Sequence, residues 1–315
     1  MKKNDVKYSI IVAAYNVSDY IDECLQSILN NEGSYEVIIV NDGSSDDTLD
    51  KINKYKSNNV RVFTTNHVGL AEVRNFGIEH AYGEYIMFID GDDKFTANFL
   101  QTINSQIDNC DLCVFSWEPI NENSIVTGKA IIVNDFWTMD RMAWNKVYKR
   151  SLIKELRFPA GVLYEDVGFT SIAYLTANNI KFINTPLYQY RQRRSSITHI
   201  KQKASDHLGI LAGLDDVNEW QREYGDKESK IEIQNLNYRI ILSHVKRILI
   251  DNEYKQNNEE WVLIKLVQYF ESVEAKPKKG TIRLLVRVRN RFAIALIEKD
   301  KLKLARKLFL VKNSL

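Results

Sequence analysis

Three carboxylates fall within four residues, at Asp90, Asp92 and Asp93 around Gly91, directly after the apolar run Tyr85 to Ile89. Acids this close repel one another unless a cation neutralises them. Hard oxygen donors of this kind suit Mg²⁺ or Mn²⁺ held jointly with the phosphates of a substrate, and Gly91 permits the tight turn. The same residues also suit a polar turn in which an Asp caps a helix over Phe95 to Leu100. A second acidic pair, Glu165 and Asp166 in YEDVGF, has the composition of a solvated helix start running through Phe169 to Leu175. Cys110 and Cys113 form one Cys-x-x-Cys, but it leads into the apolar run of a strand and has no second pair. Buried structural thiols are therefore expected, with no redox or zinc site.

The elements that must position these acids alternate strand and helix through the first hundred residues. Tyr8 to Ala14, Glu36 to Val40, Val60 to Thr64 and Glu84 to Ile89 are short apolar runs bounded by turn residues, as buried parallel strands are. A helix capped by Ser18 carries Ile21, Leu25, Ile28 and Leu29 on one face; Ser45 or Asp46 opens a second, and Leu70 to His80 is a third. This order predicts a doubly wound α/β sheet with helices on both faces, in which ligands bind beyond the carboxyl ends of the strands. Asn16, Asp42 and Asp90 then converge on one edge. Short strands over 111–117, 181–182 and 187–190 complete the sheet. Beyond about residue 200 the pattern is helical, including Gln234 to Ile250 and Glu259 to Ser272. Two regions follow: 1–200 and a helical 201–315 ending in a basic amphipathic tail.

The chain of 315 residues is 44% hydrophobic and 27% charged, which excludes a long disordered region. Its formal charge of +2 predicts no nucleic acid partner. That total conceals an asymmetry: residues 276–315 hold 13 Lys or Arg against Glu298 and Asp300, a local balance of +11. Arg283, Arg287 and Arg291 recur every four residues, with Ile282, Leu285, Phe292 and Leu296 at other positions of the run. Such a tail either meets an anionic membrane surface or packs on its own domain. No run reaches the roughly 18 apolar residues of a membrane span and no signal peptide is read, so a cytoplasmic location is expected, with peripheral contact at the inner face of the cell membrane left open.

Six segments in order resemble the family 2 glycosyltransferases: SIIVAAYN from Ser9, EVIIVNDGSSDDT from Glu36, NHVGLAEVRNFGI from Asn66, FIDGDD from Phe88, WNKVYKR from Trp144 and YEDVGF from Tyr164. The resemblance covers about residues 7–200 and implies a GT-A (Rossmann-like) nucleotide-sugar domain followed by a mostly helical region. It implies an inverting, metal-dependent transfer of a sugar from a UDP-sugar to a hydroxyl acceptor on a glycan, lipid or protein, in surface polysaccharide or glycoconjugate synthesis. On it, Ala13 and the Tyr15 ring hold a pyrimidine, with a core tyrosine as the alternative. Asp42 accepts the uracil imide N–H, where the residues alone also allow an Asx turn into Gly43. Arg74 binds the base or diphosphate, or forms a surface salt bridge. Asp90 meets the ribose or a metal-bound water, and Asp92 holds Mn²⁺ or Mg²⁺, with His199 as a further metal ligand. Arg191 or Arg193, and Ser196, lie near phosphate oxygens. Trp144, Asn145 and Lys146 line the sugar or acceptor pocket, with a core Trp144 as the alternative. Asp166 of the Glu165–Asp166 pair becomes the general base. Two rivals are a nucleotidyltransferase and a noncatalytic sugar-nucleotide or glycan binding subunit tethered by the basic tail.

Overall fold

A computed structural model describes residues 6–136, 138–193, 203–251, 260–277, 284–299 and 301–310. The chain divides into two compact units: Met1–Gly161 with Phe169–Ile200, and Val162–Gly168 with Lys201–Leu315.

The first unit is built on one sheet of eight strands. β1 (Tyr8–Ala14), β2 (Tyr35–Asn41), β3 (Val60–Thr64) and β4 (Tyr85–Asp90) run parallel in the order β3-β2-β1-β4. Every residue of β2 is buried, which is why that run carries no polar alternation. The sheet continues through β7 (Lys146–Lys149), antiparallel to β4 and to β6 (Leu112–Ile120), then β8 (Ile180–Arg191) and the short β5 (Lys94–Phe95). It is thus a mixed sheet. The two short strands expected over 181–190 are one strand whose pairing with β6 shifts register where Ser116 faces Pro186. Proline cannot donate to the ladder, so the strand bulges there and the apolar pattern breaks.

The crossover helices are α1 (Ile21–Leu29), α2 (Thr48–Asn53) and α3 (Leu70–His80), with α4 (Phe99–Asn104) and α5 (Asp166–Thr176) following. Ser18 does not cap α1: Tyr20 holds that position with no side-chain cap. The Asn16–Ser18 turn is instead tied to the 44–48 loop, the Ser18 amide donating to Asp46 Oδ2 at 3.0 Å and the Val17 amide to Thr48 Oγ1 at 2.9 Å. Nor does an acid cap α4, because β5 intervenes and Asn98, at φ 59°, precedes the helix. Cys24, Cys110 and Cys113 are buried free thiols.

In the second unit a 3₁₀ turn (Ala204–Gly209) leads into α6 (Ile210–Tyr224), α7 (Lys227–Asp251), α8 (Glu260–Ser272), α9 (Leu284–Glu298) and α10 (Leu302–Leu310). Ile241, Val245, Leu266 and Phe270 form its core together with Ala293, Ile297, Ala305 and Phe309 of the last two helices. The basic tail therefore packs its apolar side into its own unit and leaves Arg291, Lys299, Lys301, Lys303 and Lys307 exposed. Ile282 and Arg283 lie outside the described residues, as do the side chains of Leu285, Arg287 and Phe292. Among the described residues no helix is long and apolar enough to cross a membrane.

Candidate functional site

The strand ladder itself brings the expected residues to one edge. Ala13 pairs with Asp90, the Gly91 amide donates to the Ala13 carbonyl at 2.8 Å, and the Asp42 amide donates to Ala14 at 2.8 Å. Ala13 thus contributes backbone already engaged in the turn that carries the acids.

Asp42 is 4% exposed. Its Oδ1 accepts from Thr65 Oγ1 and the Val68 amide, both at 2.7 Å, and its Oδ2 accepts from the Gly69 amide at 2.9 Å. The carboxylate therefore pins the 65–69 loop as well as facing the edge. His67 in that loop has φ 53° and stacks on Tyr15 with centroids 4.3 Å apart. Tyr15 is 44% exposed and so is no core tyrosine. Gly43 makes this crossing possible: at φ +67° a Cβ would stand 3.1 Å from the His67 nitrogen, so a side chain would be both strained and crowded. His67 went unassigned in the sequence because only the folded loop sets it against Tyr15.

The three acids go to three different partners. Asp90 receives Arg74 Nη2 at 3.1 Å. Arg74 is 2% exposed, with its guanidinium 5.5 Å from the Phe158 ring centroid, so it is a buried orienting cation and not a surface salt bridge. Asp93 is enclosed: Tyr188 OH donates to it at 2.6 Å and the Arg191 amide at 2.6 Å. Asp92 takes Arg193 Nε on Oδ2 at 2.5 Å and Arg191 Nε on its carbonyl at 2.6 Å. Burial, then the charges of Asp92 and Asp90, push the Asp93 carboxyl well above the usual range. Burial likewise raises Asp92, opposed by the Arg193 guanidinium and reinforced by Asp90. A desolvated acid cluster of this kind favours any arriving cation.

Among the described residues no three His, Cys, Asp or Glu side chains converge as a metal cage. Asp93 is committed to internal partners, whereas Asp92 stays partly exposed beside Arg193. That donor set still fits Mg²⁺ or Mn²⁺, because such ions are commonly held by one or two carboxylates with substrate phosphates completing the shell. Ser196 and His199 lie outside the described residues.

Arg191, Trp144, Asn145 and Lys146 are all buried. Arg191 is 1% exposed and its guanidinium is spent on Glu23 Oε2 at 2.6 Å, Ser124 Oγ at 3.0 Å and the Glu122 carbonyl at 3.0 Å. Both cations touch the acidic turn, Arg191 through the Asp92 carbonyl and Arg193 through the Asp92 carboxylate. Trp144, Asn145 and Lys146 do not line an open pocket, being 2%, 0% and 0% exposed. Trp144 stacks on Tyr188 at 4.2 Å, Asn145 Nδ2 donates to the Phe115 carbonyl, and Lys146 Nζ bonds the Asp140 and Met142 carbonyls. Trp144 thereby backs Tyr188, whose hydroxyl donates to Asp93 in the acidic turn. Tyr188 and Glu23 were missed because nothing local in the sequence links them to residues 70 to 170 positions away.

The second acidic pair belongs to the second unit. Glu165 is buried, while Asp166 keeps partial exposure at the first position of α5.

The family profile described as Glycosyl transferase family 2 matches residues 9–164. Glycosyltransferase GlyG of Streptococcus pneumoniae is 31% identical over 248 residues, covering 66% of this chain and 82% of that protein. The Bacillus subtilis protein EpsH, named as a glycosyltransferase, is 34% identical over 64% of this chain, and the chain spans 65% of its length; it spans 32% of the pneumococcal glycosyltransferase GlyA. A crystal structure of Staphylococcus aureus TarS residues 1–349 in complex with UDP-GlcNAc has the same fold, with a TM-score of 0.74 at 21% identity over 96% of this chain and 90% of that one. With the profile lying across the strand edge just described and GlyG matched over four fifths of its length, the chain belongs to the family 2 glycosyltransferases.

Proposed function

We propose that this chain transfers a sugar, with inversion, from a UDP-sugar to a hydroxyl acceptor on a glycan, a lipid-linked glycan or a protein, in surface polysaccharide or glycoconjugate synthesis. The observation that carries the reading is one strand edge holding an exposed aromatic face at Tyr15, a buried carboxylate at Asp42 and a desolvated acid at Asp92. Tyr15 and Asp42 suit a pyrimidine base, and Asp92 suits a metal-bound diphosphate. The TarS structure solved with UDP-GlcNAc supports the donor class.

Tyr15 stacks the uracil, and Asp42 orders the loop bearing His67 while facing the imide edge. Asp90, oriented by Arg74, meets the ribose. Asp92 is the metal ligand, and Arg193 beside it is the cation for a phosphate oxygen. A divalent cation bound there supplies Lewis-acid stabilisation of the charge growing on the leaving diphosphate. Asp166 takes the proton of the acceptor hydroxyl as that oxygen attacks the anomeric carbon. The bond to the UDP oxygen breaks on the opposite face, so the configuration inverts. Residues 1–200 form the transferase domain and 201–315 its helical partner, working on the cytoplasmic side of a cell membrane. The test is UDP release from a panel of UDP-sugars with and without hydroxyl acceptors, in Mn²⁺ and then in chelator. Acceptor-stimulated, chelator-sensitive release is expected. Binding of UDP-sugars without any release would reduce the chain to a binding subunit.

A further inference from the structure

Tyr164, directly before the acidic pair, has φ 66°. A bulky aromatic in the left-handed region is uncommon, and such a conformation persists only where its surroundings over-determine it. Here the surroundings are two histidines of the helical unit. The Tyr164 ring lies nearly parallel to His207, with centroids 5.9 Å apart and planes at 23°, and edge-on to His244 at 4.7 Å. Tyr164 OH is 3.4 Å from His207 Nδ1, and that nitrogen is 2.8 Å from His244 Nδ1. Two ring nitrogens at that distance share one proton, so one donates and the other accepts. Burial, with the charges of His207 and Arg247, pushes His244 down to about 3, which keeps it neutral at working pH.

The backbone on either side of the pair is clamped to the same helices. A Cβ on Gly209 would stand 2.5 Å from the Leu163 carbonyl oxygen, and one on Gly213 would stand 2.7 Å from the Gly168 nitrogen. Val167 enters the core of the helical unit beside Ile210, Leu214 and Ile241. Segment 163–168 therefore takes its shape from α6 and α7.

We propose that Tyr164, His207 and His244 are positioning residues that fix the Glu165–Asp166 pair. The proposal rests on the reading of Asp166 as the base. Aiming a base is the kind of task in which small displacements are severe, and an error of about 1 Å can lower the rate about a hundredfold. Donor binding, built on the other unit, does not depend on this cluster.

The test uses the full chain, Mn²⁺ and whichever of UDP-GlcNAc, UDP-glucose and UDP-galactose is turned over fastest, with glycerol or water as the hydroxyl. His207→Leu is expected to lower kcat about a hundredfold while donor KM and UDP affinity stay within about twofold. His207→Asn sets a polar atom near the lost Nδ1, and at least about tenfold of the rate is expected back, as suits a hydrogen bond that aims another group. If His207→Leu fails to fold, Tyr164→Phe is read instead; it keeps the ring, and about fivefold lower kcat at unchanged KM is expected. An unchanged kcat in the folded variant, or a UDP affinity that falls in step with kcat, overturns the proposal. Asp166→Asn run alongside separates the two ideas: an active Asp166→Asn removes the base itself, whereas a dead Asp166→Asn beside an active His207→Leu removes only the positioning role.

Discussion

Asp42 holds the 65–69 loop, the proposed uracil contact would be a second task on the same carboxylate, and substitution separates the two. Asp42→Ala leaves Thr65, Val68 and Gly69 without their acceptor, so a stability loss of about 2 kcal/mol or more is expected in denaturant titration. UDP affinity should fall further than that of any purine diphosphate, and a wild-type preference for GDP would refute the uracil assignment. At Asp92 the expectation is different. Its side chain meets Arg193, so on its proposed role as the metal ligand Asp92→Ala should fold normally yet lose the gain in UDP affinity that Mn²⁺ confers, read by calorimetry with and without the ion. Unchanged Mn²⁺-dependent affinity would take Asp92 out of the metal site. Asp166→Asn keeps size and hydrogen-bonding reach but cannot accept a proton, so transfer should drop by about 10²- to 10⁴-fold while UDP affinity holds. A dead Glu165→Gln beside an active Asp166→Asn would reverse the two roles.

At the scale of elements, the buried histidines between the 3₁₀ turn and α7 give acid sensitivity a direction. His244 ordinarily titrates near 6.5 and is depressed to about 3 in the fold, by burial first and then by His207 and Arg247. Above the unfolded value neither state binds the proton. Between the two values the unfolded chain takes it up and the folded chain does not, so stability falls as pH drops from about 6.5 toward 3. The melting temperature should decline through that window, and His244→Gln should flatten the decline. An identical slope in the variant would mean that other groups dominate. The register of β6 with β8 is another element-scale result: the bulge opposite Pro186 lets one strand deliver Tyr188 and Arg191 to Asp93 and Asp92. An apolar pattern interrupted at Asn184 to Pro186 reads as two strands until a partner strand is present.

For the whole molecule, among the described residues of the last forty, Ala293, Ile297, Ala305 and Phe309 are buried in the core of the helical unit while Arg291, Lys299, Lys301, Lys303 and Lys307 are exposed. The exposed lysines motivate the hypothesis of surface attraction to an anionic membrane. Removing the helices would open the core at Ala293, Ile297 and Ala305, so charge reversal is the cleaner probe. Lys301, Lys303 and Lys307 changed together to Glu should weaken co-sedimentation with anionic vesicles, and added salt should weaken wild-type binding in the same way, since screening acts over about 8–10 Å at these ionic strengths. Equal binding by the two proteins would exclude a membrane role for this face.

The alternation of strand and helix, the polar residues at strand ends and the motif order were legible in the sequence, because a buried parallel strand must be apolar and the residue after it must face the ligand edge. Tyr15, Asp42, Asp90 and Asp92 stand at that edge for this reason. Periodicity and local chemistry cannot say which side chains will be enclosed. The sequence left Trp144 between pocket and core, and the fold buries it with Asn145 and Lys146, the last of which begins β7 in the middle of the sheet. Arg191 and Arg193 are two residues apart on one chain, and only the fold makes the first a buried strut and the second the partner of Asp92. The acidic pair before α5 was readable as a motif, but its attachment to helices beginning some forty residues later was not. That attachment rests on glycine-to-backbone approach and a shared histidine proton, neither of which leaves a local pattern.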